Sequence, residues 1–266
     1  MQIVHPQTAL GSLPPDDVFL AVDDMGMELG RGYIIYQFQP NLYPDCPINL
    51  YFSIEGQATA FYMLFGALLA RARQLREARP DLRARVYTNI APADARLRDF
   101  YVQNGFDCED AEHLVELTMP VGDGRIPMSC TVAKIPLNNQ QDVQALLMRM
   151  AQNDLNYLDE PTLYGMMQQP HFLALGLYRN ADLIGEILMV GQGDACELSA
   201  MYIIPPMRRQ GMGRALLHRS MAVMAAEGVT QVRARQMSRS DPQRRLMSIF
   251  GSKVLGTTAL YPGLYL

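Results

Sequence analysis

Tryptophan is absent from the sequence, and cysteine is scarce. The four cysteines, Cys46, Cys108, Cys130 and Cys196, lie far apart and form no CxxC pair. This spacing argues against a zinc site or a disulfide framework and favours buried free thiols in a reducing compartment. We therefore expect no bound metal.

Long apolar runs and a basic leader are also missing. The longest apolar stretch, around residues 58–70, is shorter than the roughly 20 residues that cross a bilayer. The sequence begins MQIVHPQTALGSLPPDD, which has no basic segment and is interrupted by prolines, unlike a secretion signal. We expect a soluble cytoplasmic protein without a membrane partner.

Positive charge does not predominate, since 23 Lys and Arg are set against 27 Asp and Glu, for a net charge of -4. This balance argues against a protein that coats nucleic acid or an anionic membrane. The 49% of hydrophobic residues is typical of a globular protein. At roughly 150 residues per domain, a chain of this length favours two domains. Any basic cluster is then expected to be a local site.

The second half of the sequence alternates between strand-like and helix-like segments. The predicted order is a strand at 128–135, helices at 139–153 and 162–167, three strands within 171–205, a helix from about 210, a strand at 230–237, a helix at 241–250 and a closing strand at 259–266.

The first half shows a shorter version of the same order, with strands from residue 16, a long helix at 58–78 and a closing strand at 112–120. The repeat suggests an internal duplication with a linker at 121–124. The alternative is that any α/β chain alternates in this way. We predict an α/β fold with mixed sheets in two domains, 1–124 and 125–266.

A basic, glycine-containing turn joins a predicted strand to a predicted helix. It reads Arg208-Arg209-Gln210-Gly211-Met212-Gly213, and Arg214 follows. The first N–H groups of a helix lack intrahelical partners and carry partial positive charge, which suits a phosphate. Glycines allow the backbone to approach an anion closely. The turn therefore predicts a site for a diphosphate-like ligand.

The sequence of this turn lacks the Lys of a P-loop and fits a dinucleotide fingerprint only in a relaxed form. The order strand, [RQ]xxGxG, helix instead resembles motif A of the GNAT superfamily, the acyl-CoA-dependent N-acyltransferases. The preceding segment ELSAMYIIPPM is similar to that family's fourth strand and its proline exit. The resemblance covers about residues 128–266 well and the first half more weakly. It implies tandem GNAT-like domains, the first of them truncated.

The resemblance implies that acetyl-CoA is the cosubstrate and that the turn holds its pyrophosphate. The pantetheine would pair with the backbone of Met201, Tyr202 and Ile203, and an N–H at Met201 would stabilise the charge on the thioester oxygen. The attacking amine must lose a proton. Glu197 is the leading candidate for the base, with Glu186 second.

One expected residue of the family is missing from the second half. Many members use a tyrosine four residues before a GF pair to protonate the leaving thiolate, and the matching residue here is Met247. Ser248, Tyr261 and Tyr265 are possible substitutes. Ser238 and Ser240 occupy the position of a pantetheine-contacting asparagine, but an ordinary turn pair is the favoured interpretation.

The first half keeps the tyrosine pattern as Tyr101 before Gly105-Phe106 but not the basic turn. Alignment of the two halves places Ala60, Met63 and Phe65 opposite Arg208, Gly211 and Gly213. A degenerate first copy is therefore expected, with one CoA per chain in the second half.

The acceptor is expected to be a primary amine on a small molecule or a peptide. Asp154, Asp159 and Glu160 mix with Tyr157 and Tyr164 in the segment between the first two helices of the second half, which would suit a cationic amine. An acyl-CoA-binding pseudoenzyme that acts as a sensor or scaffold is the alternative, and a homodimer is left open.

Overall fold

The chain folds into two units. The computed structural model of the protein describes residues 1–11, 13–122 and 124–266. The first unit comprises 1–111 together with 259–266, and the second comprises 112–258. These bounds differ from the predicted domains, because the linker expected at 121–124 lies inside the second unit; Asp123 itself is outside the described residues.

The predicted mixed α/β class is confirmed by two sheets and six helices in the described part of the chain. In chain order the strands are β1 (Gln2–Val4), β2 (Val18–Val22), β3 (Glu28–Phe38), β4 (Ile48–Gly56), β5 (Ala84–Tyr87), β6 (Ala111–Leu117), β7 (Cys130–Lys134), β8 (His171–Arg179), β9 (Asp182–Gln192), β10 (Ala195–Ile203), β11 (Gln231–Met237), β12 (Lys253–Leu260) and β13 (Gly263–Tyr265). The helices are α1 (Ala58–Glu77), α2 (Ala95–Gln103), α3 (Gln140–Gln152), α4 (Glu160–Met167), α5 (Met212–Ala226) and α6 (Asp241–Ile249).

The first unit is a six-stranded sheet in the order β1-β2-β3-β4-β5-β13, packed against α1. In α1, Ala60, Leu64, Leu68 and Ala72 recur every four residues and are fully buried. This spacing places them on one face of the helix, which is the face that must be removed from water. The same core contains Ile34, Leu50 and Phe52 from the sheet.

The second unit is a seven-stranded sheet in the order β12-β6-β11-β10-β9-β8-β7. Helix α5 packs on β8, β9 and β10 through its buried apolar side chains. These are Met212, Leu216, Leu217, Met221 and Met224. The core of this unit therefore lies directly behind the strand that leads into the basic turn.

Each sheet is completed by a segment from the other half of the sequence. Strand β6 lies between β11 and β12, and its Val115 and Leu117 are buried in the core of the second unit. Strand β13 pairs with β5 in the first unit, where Gly263 lies opposite Tyr87. The sequence-based expectation that 112–120 closes the first domain and 259–266 the second is therefore wrong, because each segment joins the other sheet.

A buried ion pair holds the last strand in the first unit. The Arg85 guanidinium lies 3.0 Å from the Asp110 carboxylate, and its other amino group donates a hydrogen bond to the Tyr261 carbonyl at 2.8 Å. Arg85 and Asp110 are almost fully buried. A side chain at Gly263 would overlap the Arg85 guanidinium, so a larger residue there would require Arg85 to move.

The helices in the described ranges include none that is long and apolar enough to cross a membrane. The same residues contain no group of His, Cys, Asp and Glu side chains that could hold a metal ion.

We predict that Arg85→Met lowers the free energy of unfolding by about 3–5 kcal/mol, because it deprives the buried Asp110 carboxylate of the Arg85 cation. Urea denaturation measures this loss. Arg98→Met, which breaks an exposed pair with Asp99, is the control and should cost less than about 1 kcal/mol. Equal losses in the two variants would contradict the anchoring role of Arg85.

Candidate active site

The candidate site lies where β10 and β11 part. The two strands pair in parallel from Ala195 opposite Gln231 to Leu198 opposite Ala234. Beyond that point β10 continues along β9 to Ile203, whereas β11 continues along β6. The end of β10 therefore has an edge that β11 does not pair, and a backbone edge of this kind can accept an extended ligand as an extra strand.

A β-bulge at Ser199 marks the parting. The register of β10 against β9 shifts between Leu198 and Ala200. A bulge inserts one residue and so changes which side chains face each side of the sheet. Cys196 and Leu198 belong to the core before the bulge, and Met201 and Ile203 pack on it afterwards.

Side chains on the opposite face of β10 carry the polar groups. Because successive side chains alternate and the bulge adds one residue, Glu197, Ala200 and Tyr202 share the face away from α5. The predicted base Glu197 thus lies on the same side of the sheet as Tyr202, while Met201 packs into the core side.

The basic turn has an unusual backbone. A short 3-10 turn at Pro205–Met207 leaves the strand, and Arg209 (φ 61°) and Gly211 (φ 79°) both adopt left-handed conformations before α5 begins. Gly211 is the N-cap, no side chain caps the helix, and its first turn contains no acidic residue. The helix N-terminus therefore keeps its partial positive charge unneutralised by its own side chains.

Three other helices begin with a capping side chain, whereas α1 and α6, like α5, begin without one. The N-caps of α2, α3 and α4 are Asp94, Asn139 and Asp159, and each side chain accepts a hydrogen bond from a backbone N–H of the first turn. The first N–H groups of α5 thus have no capping side chain, which an anion site at Met212 and Gly213 requires but which does not by itself distinguish α5.

The arginines of the turn divide into two kinds. Arg208 is half-buried, and its Nε donates a hydrogen bond to the Ile203 carbonyl at 2.7 Å. Loss of hydration lowers the pKa of Arg208, while the charge of Asp154 acts in the opposite direction. Arg208 therefore fastens the turn to the end of β10, and the exposed cations are Arg209 and Arg214.

The remaining polar residue of the turn and its second glycine have local packing roles. The side-chain amide of Gln210 donates to the Pro206 carbonyl at 3.0 Å. At Gly213, an added Cβ would lie 3.4 Å from Met201 Cε, in ordinary contact. At Gly211 it would meet nothing within 4 Å. The open space predicted for a ligand is therefore beside Gly211, whereas Gly213 brings the helix close to β10.

The Glu197 side chain is partly exposed to solvent and forms an ion pair. Its carboxylate lies 3.0 Å from Arg235 Nε on β11, and Arg235 also binds Glu112 at 2.9 Å. Hydrogen bonds to Glu112 and Glu197 raise the pKa of Arg235. The contact with Glu112 was not predicted, because its strand was assigned to the other domain.

Glu186, the second candidate base, is fully buried in a closed network. Arg149 on α3 donates to both carboxylate oxygens, at 2.7–3.0 Å, and the Tyr202 hydroxyl donates to Oε2 at 2.6 Å. The hydrogen bond to Glu186 raises the pKa of Arg149, and burial raises that of Tyr202. Glu186 therefore ties α3 to the sheet and has no access to an acceptor.

The position of the missing acid is apolar. Met247 is buried in the core of the second unit. The Ser248 hydroxyl donates to the Arg245 carbonyl of its own helix at 2.9 Å. Tyr261 and Tyr265 belong to the first unit. Ser248 is therefore engaged within its own helix, and the two tyrosines are not part of the second unit.

The serines that follow β11 have separate environments. Ser238 Oγ lies 3.1 Å from His113 Nε2, and Thr257 Oγ1 lies 3.1 Å from the other ring nitrogen. Ser240 is buried and is the N-cap residue of α6, but its side chain makes no capping hydrogen bond. The contact of His113 with Ser238 was not predicted, since it depends on β6 joining this sheet.

The first unit has no counterpart of the basic turn. Its β4 ends at Gly56, and α1 begins at Ala58, so a single residue replaces the segment from Ile204 to Gly211. Ala60, Met63 and Phe65, which the sequence alignment places opposite the basic turn, all lie inside α1.

Tyr101 in the first unit is buried among aromatic rings. Its ring lies 6.1 Å from Phe52, 6.1 Å from Phe65 and 5.3 Å from Phe106, measured between centroids. Burial raises the pKa of Tyr101 above its usual value, and a hydrogen bond to Thr88 acts against this shift. This tyrosine therefore serves the core of its own unit.

The segment between α3 and α4 reaches the parting of the strands. The Tyr157 hydroxyl donates a hydrogen bond to the Ser199 carbonyl at 2.8 Å. Asp154 is buried, Asp159 caps α4 through the Thr162 N–H, and Glu160 accepts from Gln140. Two of the three predicted acidic acceptor residues thus have structural roles.

Comparison with known proteins agrees with this geometry. Residues 141–251, about two fifths of the chain, match the sequence model of the Acetyltransferase (GNAT) family. The chain therefore contains a GNAT acetyltransferase domain, which lies within the second unit. No curated protein matches the sequence.

Solved structures share the fold. A GCN5-related N-acetyltransferase from Sphaerobacter thermophilus is similar over 96% of this chain and 82% of its own, with 15% identity and a TM-score of 0.52. One from Anabaena variabilis covers 93% of this chain and 62% of its own, with 12% identity and a TM-score of 0.48. The ribosomal-protein-S18-alanine N-acetyltransferase from Escherichia coli covers 51% and 93%, with 17% identity and a TM-score of 0.41. The first likeness extends the GNAT fold over most of the chain, consistent with two GNAT-like domains.

We predict that Glu186→Gln lowers the free energy of unfolding by about 2–4 kcal/mol, because it leaves Arg149 without its buried counter-charge. Glu197→Gln is the matched control and should cost about 1 kcal/mol or less, since its ion pair with Arg235 is partly exposed. Urea denaturation measures the free energy of unfolding of the two variants. A smaller loss for Glu186 than for Glu197 would contradict the structural role of the network.

Proposed function

We propose that the second unit is an N-acetyltransferase that transfers an acetyl group from acetyl-CoA to a primary amine by direct attack. The observation that carries the proposal is the unpaired edge of β10 beside the uncapped start of α5. The GNAT domain at 141–251 supports the acyltransferase class. The acceptor is proposed to be a small-molecule or peptide amine, in the cytoplasm.

The residues present fit acetyl-CoA. Its pyrophosphate needs donors and positive charge, and the start of α5 offers backbone N–H groups flanked by exposed Arg209 and Arg214. The open space beside Gly211 leaves room for the phosphate oxygens. Its pantetheine needs a strand edge, and β10 offers one from Met201 to Ile203. When bound, acetyl-CoA supplies the acetyl thioester.

The residues of β10 would then orient the reaction. An N–H at Met201 would donate to the oxygen on which negative charge develops, a contribution that is strongest in a site prepared in advance. Glu197 would accept the proton of the amine, directly or through water. The ion pair with Arg235 fixes the position of the Glu197 carboxylate. Holding the amine against the thioester removes much of the entropic barrier.

The alternative is a CoA-binding scaffold without turnover. Met247 in place of the usual tyrosine favours it, as does the engagement of Glu197 with Arg235. In either case the first unit, which lacks the basic turn, would be a degenerate copy without its own CoA.

Calorimetric titration is expected to find one CoA per chain. Gly211→Trp should abolish binding, because the side chain would fill the open space beside the turn. Arg209→Ala and Arg214→Ala should each weaken binding about tenfold, by loss of a charge-assisted hydrogen bond. Arg73→Ala, on the exposed surface of α1 in the first unit, is the control and should leave binding unchanged. Two equivalents per chain, or CoA bound by folded Gly211→Trp, would place the site elsewhere.

Release of free thiol separates the enzyme from the scaffold. Acetyl-CoA is incubated with a panel of amines, amino acids and peptides, and the enzyme should release CoA with at least one of them. Glu197→Gln should then reduce kcat by about 100-fold or more, as expected for loss of a general base. CoA binding without thiol release across the panel would support the scaffold instead.

A further inference from the structure

The proposed transfer still requires a proton for the leaving thiolate. The following inference rests on the proposed function and assigns the residue that supplies this proton. The usual position is taken by Met247, whose thioether has no proton to give. A side chain that donates this proton would therefore come from another element that reaches the parting of β10 and β11.

The described part of the second unit contains four tyrosines, of which Tyr157 forms a hydrogen bond to the strand backbone at that point. The Tyr202 hydroxyl is buried and donates to Glu186. Tyr178 lies on β8, two strands away from β10, beside a cleft of about 190 Å³ next to Arg149. Tyr164 lies within α4.

Tyr157 reaches the parting of the strands through its hydroxyl. Its hydroxyl donates at 2.8 Å to the carbonyl of Ser199, the first residue of β10 beyond the last pair with β11. The residue as a whole is 61% exposed, so an acceptor has access to it, while partial burial of its hydroxyl raises the pKa of Tyr157 to about 12. Because Ser199 is the bulged residue, its carbonyl falls at the point where the pairing with β9 is also irregular. The hydroxyl thus lies at the start of the unpaired edge.

We propose that the Tyr157 hydroxyl is the proton donor to the thiolate that leaves in the acetyl transfer. The amine nitrogen forms a bond to the acetyl carbon, the carbon–sulfur bond breaks, and its electron pair goes to sulfur. The sulfur takes the proton of Tyr157. The proton lost by the amine passes through Glu197 and water to the Tyr157 oxygen, so no other reactant is consumed.

The hydrogen bond to Ser199 has a clear role in this step. A tyrosine side chain in a connecting segment has rotational freedom, and an anchor on a strand backbone reduces the positions that its hydroxyl occupies. The hydroxyl would leave the carbonyl for the sulfur once the edge of β10 is occupied. Loss of the hydroxyl should therefore affect the chemical step more than the binding of CoA.

Tyr157→Phe tests the proposal, because it removes only the hydroxyl. With acetyl-CoA and the best amine of the panel, kcat should fall about 100-fold, as for loss of a general acid. The calorimetric Kd for CoA and the thermal unfolding temperature should stay unchanged. Tyr178→Phe is the control in the same unit and should keep wild-type kcat. A role confined to folding would instead lower the unfolding temperature or weaken CoA binding.

A second measurement does not depend on turnover. The chain has no tryptophan, so Tyr157→Trp introduces a single indole fluorophore whose emission should change when CoA is added. Tyr62→Trp, at a position of similar exposure on α1, should show no change. If Tyr157→Phe does not fold, the fluorescence of Tyr157→Trp tests the proposal instead. Emission that does not change when CoA is added would overturn the proposal.

The failures of the two proposals are distinguishable. A wild-type protein that releases thiol, with Tyr157→Phe equally active, would overturn the role of Tyr157 and leave the acetyltransferase proposal intact. A wild-type protein that binds CoA but releases no thiol with any amine would overturn the acetyltransferase proposal and the role of Tyr157 with it.

Discussion

The early end of the pairing between β10 and β11 is the constraint on which the candidate site depends. Backbone N–H and C=O groups need partners, and a strand edge without a neighbour is a place where another chain or ligand can supply them. The bulge at Ser199 begins this edge, and the Tyr157 hydroxyl and Arg208 satisfy the carbonyls of Ser199 and Ile203 at its two ends. Between these two contacts lies the backbone proposed to hold acetyl-CoA.

The second unit contains two polar networks, one with a structural role and one that includes the proposed catalytic base. In the Arg149–Glu186–Tyr202 network, the Glu186 carboxylate is fully buried and both of its oxygens accept hydrogen bonds, so it fixes α3 on the sheet and is closed to a substrate. The Glu112–Arg235–Glu197 network is partly exposed. It fixes the position of the Glu197 carboxylate near the parting of the strands. Glu197 and Glu186, the two candidate bases predicted from the sequence, therefore differ in their exposure to solvent.

Strands β6 and β13 are exchanged between the halves of the sequence, so each sheet contains strands from both halves. Strand β6 brings Glu112 to Arg235 and His113 to Ser238, and β13 is held in the first unit by Arg85. Neither half of the sequence therefore contains a complete sheet. A division of the chain at residue 124 would remove a central strand from the second unit.

The sequence by itself determined the α/β class, the helix at 58–77, and the basic turn after β10, because helical periodicity, proline and glycine act over a few residues. It also indicated the lack of such a turn in the first half. Only the tertiary structure decided that β6 and β13 change sheets, that Glu186 is closed off, that Arg208 binds a carbonyl and that Tyr157 reaches Ser199. These outcomes depend on contacts between residues far apart in the chain, and alternating apolar residues fit the edge of either sheet equally well.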